Sequence, residues 1–279
     1  MTMGQPVRAG VIGWPVSHSL SPVMMTAWLE AAELAGRYER LAIAPEDFER
    51  RVRTLAADGF SGVNITLPHK QAALALADEV SAAARAVGAA NVLTLREGRL
   101  FADNTDVIGI RAALLEAGWN GDGPAVLVGA GGAARAGLHE LSEAGVNTIR
   151  IVNRTPSRAA DMAASMGIRA EVFAMDDIAQ ALGSARLLIN ATSMGMAGQP
   201  VLEPDLSGLA CGAIVFDMVY VPLETPLLNA AKAAGLRTAD GLSMLIGQAR
   251  PAFEAFFGAP PPANVDVRAL MEAALEAKR

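Results

Sequence analysis

The sequence predicts an α/β fold of two domains, one of them a Rossmann-type dinucleotide-binding domain. Three observations carry this. Short apolar, β-prone runs alternate with helical stretches along the chain. One such run, residues 125–128, enters Gly129-Ala130-Gly131-Gly132-Ala133-Ala134, a G-x-G-x-x-A turn with a helix after it and a second strand at 148–152. The 279 residues suffice for two domains, and 52% hydrophobic against 19% charged residues fits large buried cores.

Composition excludes several classes. A net charge of −6 gives no basic footprint for nucleic acid and no polybasic membrane patch. No apolar run reaches the roughly 18 residues a membrane span needs. The single cysteine, Cys211, cannot form an internal disulfide, and Gly10, Gly13 and Pro15 break the apolar start, so no signal peptide is read and a cytoplasmic location is expected. His18, His69 and His139 lack zinc-type spacing, so no metal is expected. Lysine occurs only at Lys70, Lys232 and Lys278, which makes Lys70, inside a motif, conspicuous.

In chain order, residues 8–12 predict a strand entering a hydroxyl-rich turn at 13–22. Pro22 suits a helix start with Ser21 as N-cap. Ser19 and Ser21 flank Leu20, so in an extended chain both hydroxyls point one way and suit a carboxylate; a cap with a Ser turn explains them equally. Residues 38–43 predict a strand and 45–57 a helix. Val63, Ile65 and Leu67 alternate with Asn64 and Thr66, a strand with one polar face that ends at Pro68. Lys70 then opens a helix running to Leu76, where a cation is unfavourable unless a nearby anion or a lowered pKa is useful. Residues 88–95 form a strand carrying Asn91, and a turn at Glu97-Gly98 leads into 100–106. Asp106 fits the N-cap of a helix over 107–117.

In the dinucleotide half, the glycines let backbone N–H groups approach a pyrophosphate at the helix N-terminus. The second strand ends in Asn153-Arg154-Thr155, with Arg158 beyond, where an NAD site normally has an acid. Two guanidinium groups and a hydroxyl suit a ribose 2′-phosphate, so the cofactor expected is NADP. Thr155 also fits as N-cap to Pro156. A further helix and strand run to Phe173, and a strand at 186–189 ends in a hydroxyl- and glycine-rich loop, Asn190 to Met196. A strand at 214–218, a helix at 227–234 and a short strand near Thr238 follow. Gly241 opens an apolar helix reaching Phe257, and Asp266 or Asn264 starts a last helix ending near Lys278.

Nine motifs stand in order: HSLSP at 18–22, NITLPHK at 64–70, GAAN at 88–91, DNTD at 103–106, GAGGA at 129–133, NRT at 153–155, NATS at 190–193, DMVY at 217–220 and DGLSML at 240–245 with Gln248. Together they resemble the shikimate dehydrogenase family over nearly the whole chain. The resemblance implies a substrate-binding and catalytic domain of residues 1–106 plus 240–279, an NADP-binding domain of 107–239, and a cleft between them whose two chain crossings suit hinge closure. It implies that Ser19, Ser21 and Tyr220 hold a substrate carboxylate and that Asn64, Thr66, Asn91, Asp106 and Gln248 bond ring hydroxyls. Lys70 and Asp106 become the catalytic pair. The cofactor set is Gly129, Ala130, Gly131, Gly132, Ala133, Asn153, Arg154, Thr155 and Arg158, with Thr192, Ser193, Met218 and Gly241. The implied activity is NADPH-dependent reduction of 3-dehydroshikimate to shikimate by a monomer or homodimer.

The chain departs from the family pattern at Met25-Thr26, Val92 and Ser243, which bears on strict shikimate preference. Quinate users of the family often carry Thr at the second serine, so Ser21 leans towards shikimate. The alternatives are a broader quinate/shikimate dehydrogenase or a paralogue acting on a related cyclic hydroxy acid, and a non-catalytic NADPH-binding sensor, which the presence of both Lys70 and Asp106 disfavours. A folate-type dehydrogenase is argued against by Ser19, Ser21 and the Asn153-Arg154-Thr155 motif.

Overall fold

The computed structural model describes residues 6–277. Lys278, where the last helix was expected to end, lies outside them. The chain divides into two units, Met1–Thr105 with Gln248–Arg279, and Asp106–Gly247.

The first unit begins β1 (Val7–Gly13), α1 (Ser21–Ala31), β2 (Gly36–Ala42), α2 (Phe48–Thr54), β3 (Phe60–Ile65), α3 (Lys70–Leu76), β4 (Glu79–Val80), α4 (Ala82–Val87), β5 (Val92–Arg96) and β6 (Arg99–Asp103). These strands form one sheet in the order β2-β1-β3-β5-β6-β4. β1 pairs in parallel with β2 and β3, whereas β5 runs antiparallel to β3 and β6. Ile12, Phe48, Val52, Leu55, Val63, Ile65 and Leu93 share one apolar core.

The second unit holds α5 (Asp106–Glu116), β7 (Ala125–Val128), α6 (Gly132–Glu143), β8 (Ile149–Val152), α7 (Pro156–Ser165), β9 (Glu171–Phe173), α8 (Ile178–Leu182), β10 (Leu187–Asn190), β11 (Ile214–Asp217), α9 (Pro226–Ala233) and β12 (Arg237–Asp240). Its sheet is parallel throughout, in the order β12-β11-β10-β7-β8-β9. Strands with both faces covered are mainly apolar, and β7 and β11 are buried at every position, down to Asp217 at the end of β11. The strand order reverses between β7 and β10, the switch point where such sheets bind ligands beyond their strand ends. α10 (Gly241–Phe257) and α11 (Val267–Glu276) complete the chain. Among the described residues no helix is long and apolar enough to cross a membrane.

Several local expectations change. Ser21 is the first residue of α1, not its cap; Leu20 occupies the cap position and no side chain caps the helix. Leu20 is also in a helical conformation, not extended, so a turn brings the two serine hydroxyls together. β3 stops at Ile65, and Leu67 is exposed because it lies past the sheet in the turn before α3. The expected polar face of β3 is covered, and Asn64 is buried. Thr155 occupies the cap position of α7, but its hydroxyl accepts no cap bond. The 45–57 helix is split into a 3₁₀ turn, Pro45–Asp47, and α2. β4, α4 and α8 were not anticipated, being too short to show a period. Asp266, rather than Asn264, caps α11 by accepting from the Ala269 N–H.

α10 packs on α1 through an aromatic contact, Phe253 meeting Trp28 edge-on at 5.6 Å, and on β3 at Gly62. A Cβ at Gly62 would lie 2.5 Å from the Phe256 ring and 2.7 Å from the Leu93 carbonyl oxygen. Gly62→Ala is therefore expected to destabilise the protein by about 1–3 kcal/mol, measured by chemical denaturation.

Candidate active site

In the first unit, the loop from β1 places Ser19 and Ser21 almost out of solvent, each 5% exposed. Their hydroxyl oxygens lie 3.4 Å apart, and the Ser21 N–H donates to Ser19 Oγ at 3.3 Å. On β3, Asn64 accepts a hydrogen bond from the Tyr38 hydroxyl at 2.6 Å and donates to the Asn91 carbonyl at 3.3 Å. Asn91 is 2% exposed and lies just before β5. Its Nδ2 donates to Thr105 Oγ1 at 3.0 Å and to Gln248 Oε1 at 3.2 Å, while its Oδ1 accepts from the Thr105 N–H at 2.7 Å. Asn64, Asn91 and Gln248 thus belong to one buried network. An unsatisfied amide there would cost about 1–3 kcal/mol, so the bonds fix all three side chains.

Thr66, half-buried after β3, donates its N–H to the Ile12 carbonyl, and its methyl packs against Gly13. Lys70 is half-buried at the first position of α3, and its carbonyl accepts from the Ala90 N–H at 2.9 Å. The adjacent His69 anchors this start. Its ring stacks on Phe48 at 4.5 Å, and Nε2 is 2.8 Å from the Ile43 carbonyl. A carbonyl only accepts, so Nε2 carries the proton. Burial pushes the His69 pKa down, against the opposing hydrogen bond to Ile43.

In the second unit, Gly129 follows β7 with φ +118°, a conformation for glycine. A Cβ there would crowd Thr192 Cγ2 at 3.1 Å and the Ala191 carbonyl oxygen at 3.2 Å, so the glycine turn and the loop after β10 meet at the switch point. Ala130 is half-buried, and a Cβ on Gly131 would meet nothing within 4 Å. Gly132 and Ala133 open α6, whose first turn has no acidic residue and no side-chain cap. The first-turn N–H groups and the space above Gly131 fit a pyrophosphate.

At the end of β8, Asn153 Nδ2 donates to the Thr155 carbonyl at 2.8 Å, which shapes the turn, while Arg154, Thr155 and Arg158 are exposed. Two accessible guanidiniums beside a hydroxyl not used as a cap fit a 2′-phosphate. Thr192 Oγ1 donates to Asn190 Oδ1 at 2.7 Å and accepts from the Met194 N–H at 3.0 Å; Ser193 is exposed. Gly241, first in α10, packs so closely on the Met218 carbonyl that a Cβ would overlap it. Tyr220 is half-buried three residues beyond β11. Asp106, 4% exposed, is first in α5, which is held to α6 by a bidentate Arg111–Glu140 pair with bonds of 2.8–3.1 Å. The Glu140 carboxylate raises the Arg111 pKa.

Sequence reasoning missed the groups behind these residues. Asp217, 0% exposed, accepts from Asn190 Nδ2 at 2.9 Å, the Val219 N–H at 3.0 Å and Thr225 Oγ1 at 2.7 Å. Burial pushes its carboxyl pKa up, against those three bonds. Tyr38, Arg40 and Thr105 were also missed as supporting groups. Nothing local marks such residues; the one available signal was a carboxylate and an amide ending neighbouring apolar strands. Among the described residues no group of three or more His, Cys, Asp or Glu is arranged to hold a metal ion.

Comparison with known proteins agrees with both halves. Residues 11–93 match the family described as shikimate dehydrogenase substrate binding domain, 118–205 that described as shikimate/quinate 5-dehydrogenase, and 241–276 that described as shikimate 5′-dehydrogenase C-terminal domain. The chain is 48% identical over 272 residues to a protein of Methylocella silvestris named shikimate dehydrogenase (NADP(+)), covering 96% of this chain and 97% of the other. It resembles the crystal structure of a Thermus thermophilus shikimate 5-dehydrogenase in complex with NADP(H) and shikimate, with a TM-score of 0.83, 39% identity, and coverage of 98% and 100%. It also resembles a Corynebacterium glutamicum quinate dehydrogenase in complex with NAD, with a TM-score of 0.86, 34% identity, and coverage of 97% and 99%.

His69 gives a pH signature. Its folded pKa lies below the ordinary 6.5, so the unfolded chain takes up a proton first. The resulting stability is fully present above 6.5 and is lost as pH falls through the folded value. Urea denaturation from about pH 7 to 5 should show a fall that is shallower in His69→Gln. Asp217, present in both proteins, drops out of that difference.

Proposed function

The chain belongs to the shikimate dehydrogenase family, and on that premise we propose that it catalyses the NADPH-dependent, reversible reduction of 3-dehydroshikimate to shikimate. The observation that carries the reading is the buried network of Asn64, Asn91 and Gln248, whose backbone neighbour Ala90 holds Lys70. It is a set of neutral, oriented groups suited to a polyhydroxylated ring.

When bound, NADP(H) supplies the hydride in one direction and accepts it in the other. The chain's residues do the rest. Ser19 and Ser21, with Tyr220, hold the carboxylate through neutral donors. Asn64, Thr66, Asn91 and Gln248 hold the ring hydroxyls, with Asp106. As the carbonyl carbon is reduced its oxygen becomes an alkoxide, and Lys70 stabilises that charge while the Lys70–Asp106 pair provides the proton; in the reverse direction the pair takes it back. Gly131, Gly132 and Ala133 present N–H groups to the pyrophosphate, with Gly129 and Ala130 shaping the turn. Arg154 and Arg158, with Asn153 and Thr155, hold the 2′-phosphate. Thr192, Ser193, Met218 and Gly241 line the nicotinamide end. The domain division that serves this chemistry is a substrate domain of residues 1–106 with 240–279, and an NADP domain of 107–239. We place the enzyme in the cytoplasm, as a monomer or homodimer.

The test is oxidation of shikimate beside quinate, each with NADP and NAD; shikimate with NADP is expected to give the highest kcat/KM. Lys70→Ala should lower kcat by about 10²–10⁴-fold and leave the KM for NADP within about twofold. Normal turnover by that variant overturns the catalytic assignment. Arg154→Ala should raise the KM for NADP roughly tenfold and leave that for NAD unchanged, since it removes a charge-assisted bond only the phosphate makes.

A further inference from the structure

β2 contributes no member of the substrate set, yet two of its side chains end on that set. Tyr38 and Arg40 are two residues apart, so they stand on one face of the strand. In register, Tyr38 lies beside Ala9 and Arg40 beside Val11 on β1, and Val11 lies beside Asn64 on β3. Ala9 is small and fully buried, which leaves Tyr38 room to reach over β1. The Tyr38 hydroxyl donates to Asn64 Oδ1 at 2.6 Å. Arg40 closes on the Ser19 carbonyl with two donors, Nε at 3.0 Å and Nη2 at 2.6 Å.

Each contact settles an orientation. An asparagine amide is nearly two-fold in shape, and only its hydrogen-bond partners decide which end faces which way. The Asn91 carbonyl can only accept, so it takes Nδ2, and the Tyr38 hydroxyl, donating to Oδ1, holds the amide in that orientation. One Nδ2 hydrogen goes to the Asn91 carbonyl, and the other is left to serve a ring oxygen as donor. Arg40 fixes the peptide of Ser19, a residue in a turn outside any helix or strand. Through that peptide it fixes Ser19 Oγ, which accepts from the Ser21 N–H.

We propose that Tyr38 and Arg40 are positioning residues for the substrate, Tyr38 acting through Asn64 and Arg40 through Ser19. The proposal rests on the assignment of Asn64 and Ser19 to the substrate. β2 is then the strand that aims a donor at the ring and holds the carboxylate-binding turn in place.

Steady-state kinetics on the full-length enzyme test this with Tyr38→Phe, Arg40→Gln, Asn64→Ala, Ser19→Ala and the double variant Tyr38→Phe/Asn64→Ala. Tyr38→Phe and Arg40→Gln should each raise the KM for shikimate about 5- to 20-fold, with kcat changed less than about threefold and the KM for NADP less than about twofold. Tyr38→Phe should add less than about twofold once Asn64 is alanine, because its effect passes through that side chain. The proposal is overturned if Tyr38→Phe and Arg40→Gln leave the shikimate KM unchanged while Asn64→Ala and Ser19→Ala raise it. It is equally overturned if the Tyr38→Phe effect persists undiminished on Asn64→Ala, or if the KM values for shikimate and NADP rise together with a lowered melting temperature. If Asn64→Ala and Ser19→Ala themselves leave the shikimate KM unchanged, the substrate assignment fails, and this proposal fails with it.

Discussion

The Asn91 side chain has to be satisfied inside the protein, because it is 2% exposed and carries two donors and an acceptor. Its solution organises the first unit. Nδ2 reaches Thr105 and Gln248, Oδ1 takes the Thr105 N–H, and the main-chain carbonyl takes the Ile65 N–H and Asn64 Nδ2. The two residues before it extend the node: the Ala90 N–H holds Lys70, and the Ala89 carbonyl accepts from Asn104 Nδ2 at 2.9 Å. Ala89 and Ala90 are fully buried, so the segment has no room for larger side chains. Three residues therefore set the backbone at Lys70 and the residue from which the chain enters α5 at Asp106.

The second unit solves a like problem with a different buried group. Asn190 and Asp217 end β10 and β11 at paired positions, and the carboxylate sits at zero exposure on three donors. Removing a carboxylate from water costs several kcal/mol unless hydrogen bonds replace the lost hydration. These bonds do that, and they shape both loops that follow, Thr192–Met194 through Asn190 and Val219 through Asp217. In both units a buried polar side chain at a strand end fixes the adjoining loop. Such networks are costly when half-satisfied, which gives the loops a single geometry.

What was legible in the sequence follows the range of the forces involved. The glycine turn after β7 and the parallel half were readable because strand, turn and helix signals are local. Ser21, Leu67 and Asn64 were misread in detail for the opposite reason. Ser21 looked like a cap because Ser-Pro normally is one, but the turn at Leu20 starts the helix a residue earlier. Asn64 looked like half of a strand's polar face, yet it is buried and Tyr38, 26 positions away in sequence, bonds it. Gln248 owes its place to a partner 157 positions distant, and no window of sequence contains both. β4 and α4 escaped because elements of two and six residues show no period.

The departures from the family pattern fall beside the polar set and not within it. Met25 and Val92 are 0% and 2% exposed and fill core, Thr26 is exposed on α1, and the Ser243 N–H bonds Asp240 Oδ1 at 2.9 Å in the first turn of α10. None replaces a donor or acceptor of that set. The distinction matters because apolar wall changes discriminate weakly, by about 1–3 kcal/mol per methylene, whereas unpaired polar groups are rejected far more strongly. Quinate differs from shikimate in carrying an extra hydroxyl on the carbon that bears the carboxylate. On the proposed reading, the residues beside that carbon are Ser19 and Ser21, in the loop where Arg40 bonds the Ser19 carbonyl, rather than the amide network. On that reading, selectivity between the two acids turns on how rigidly the Ser19 turn is held, while the Asn91 node sets the backbone at Lys70.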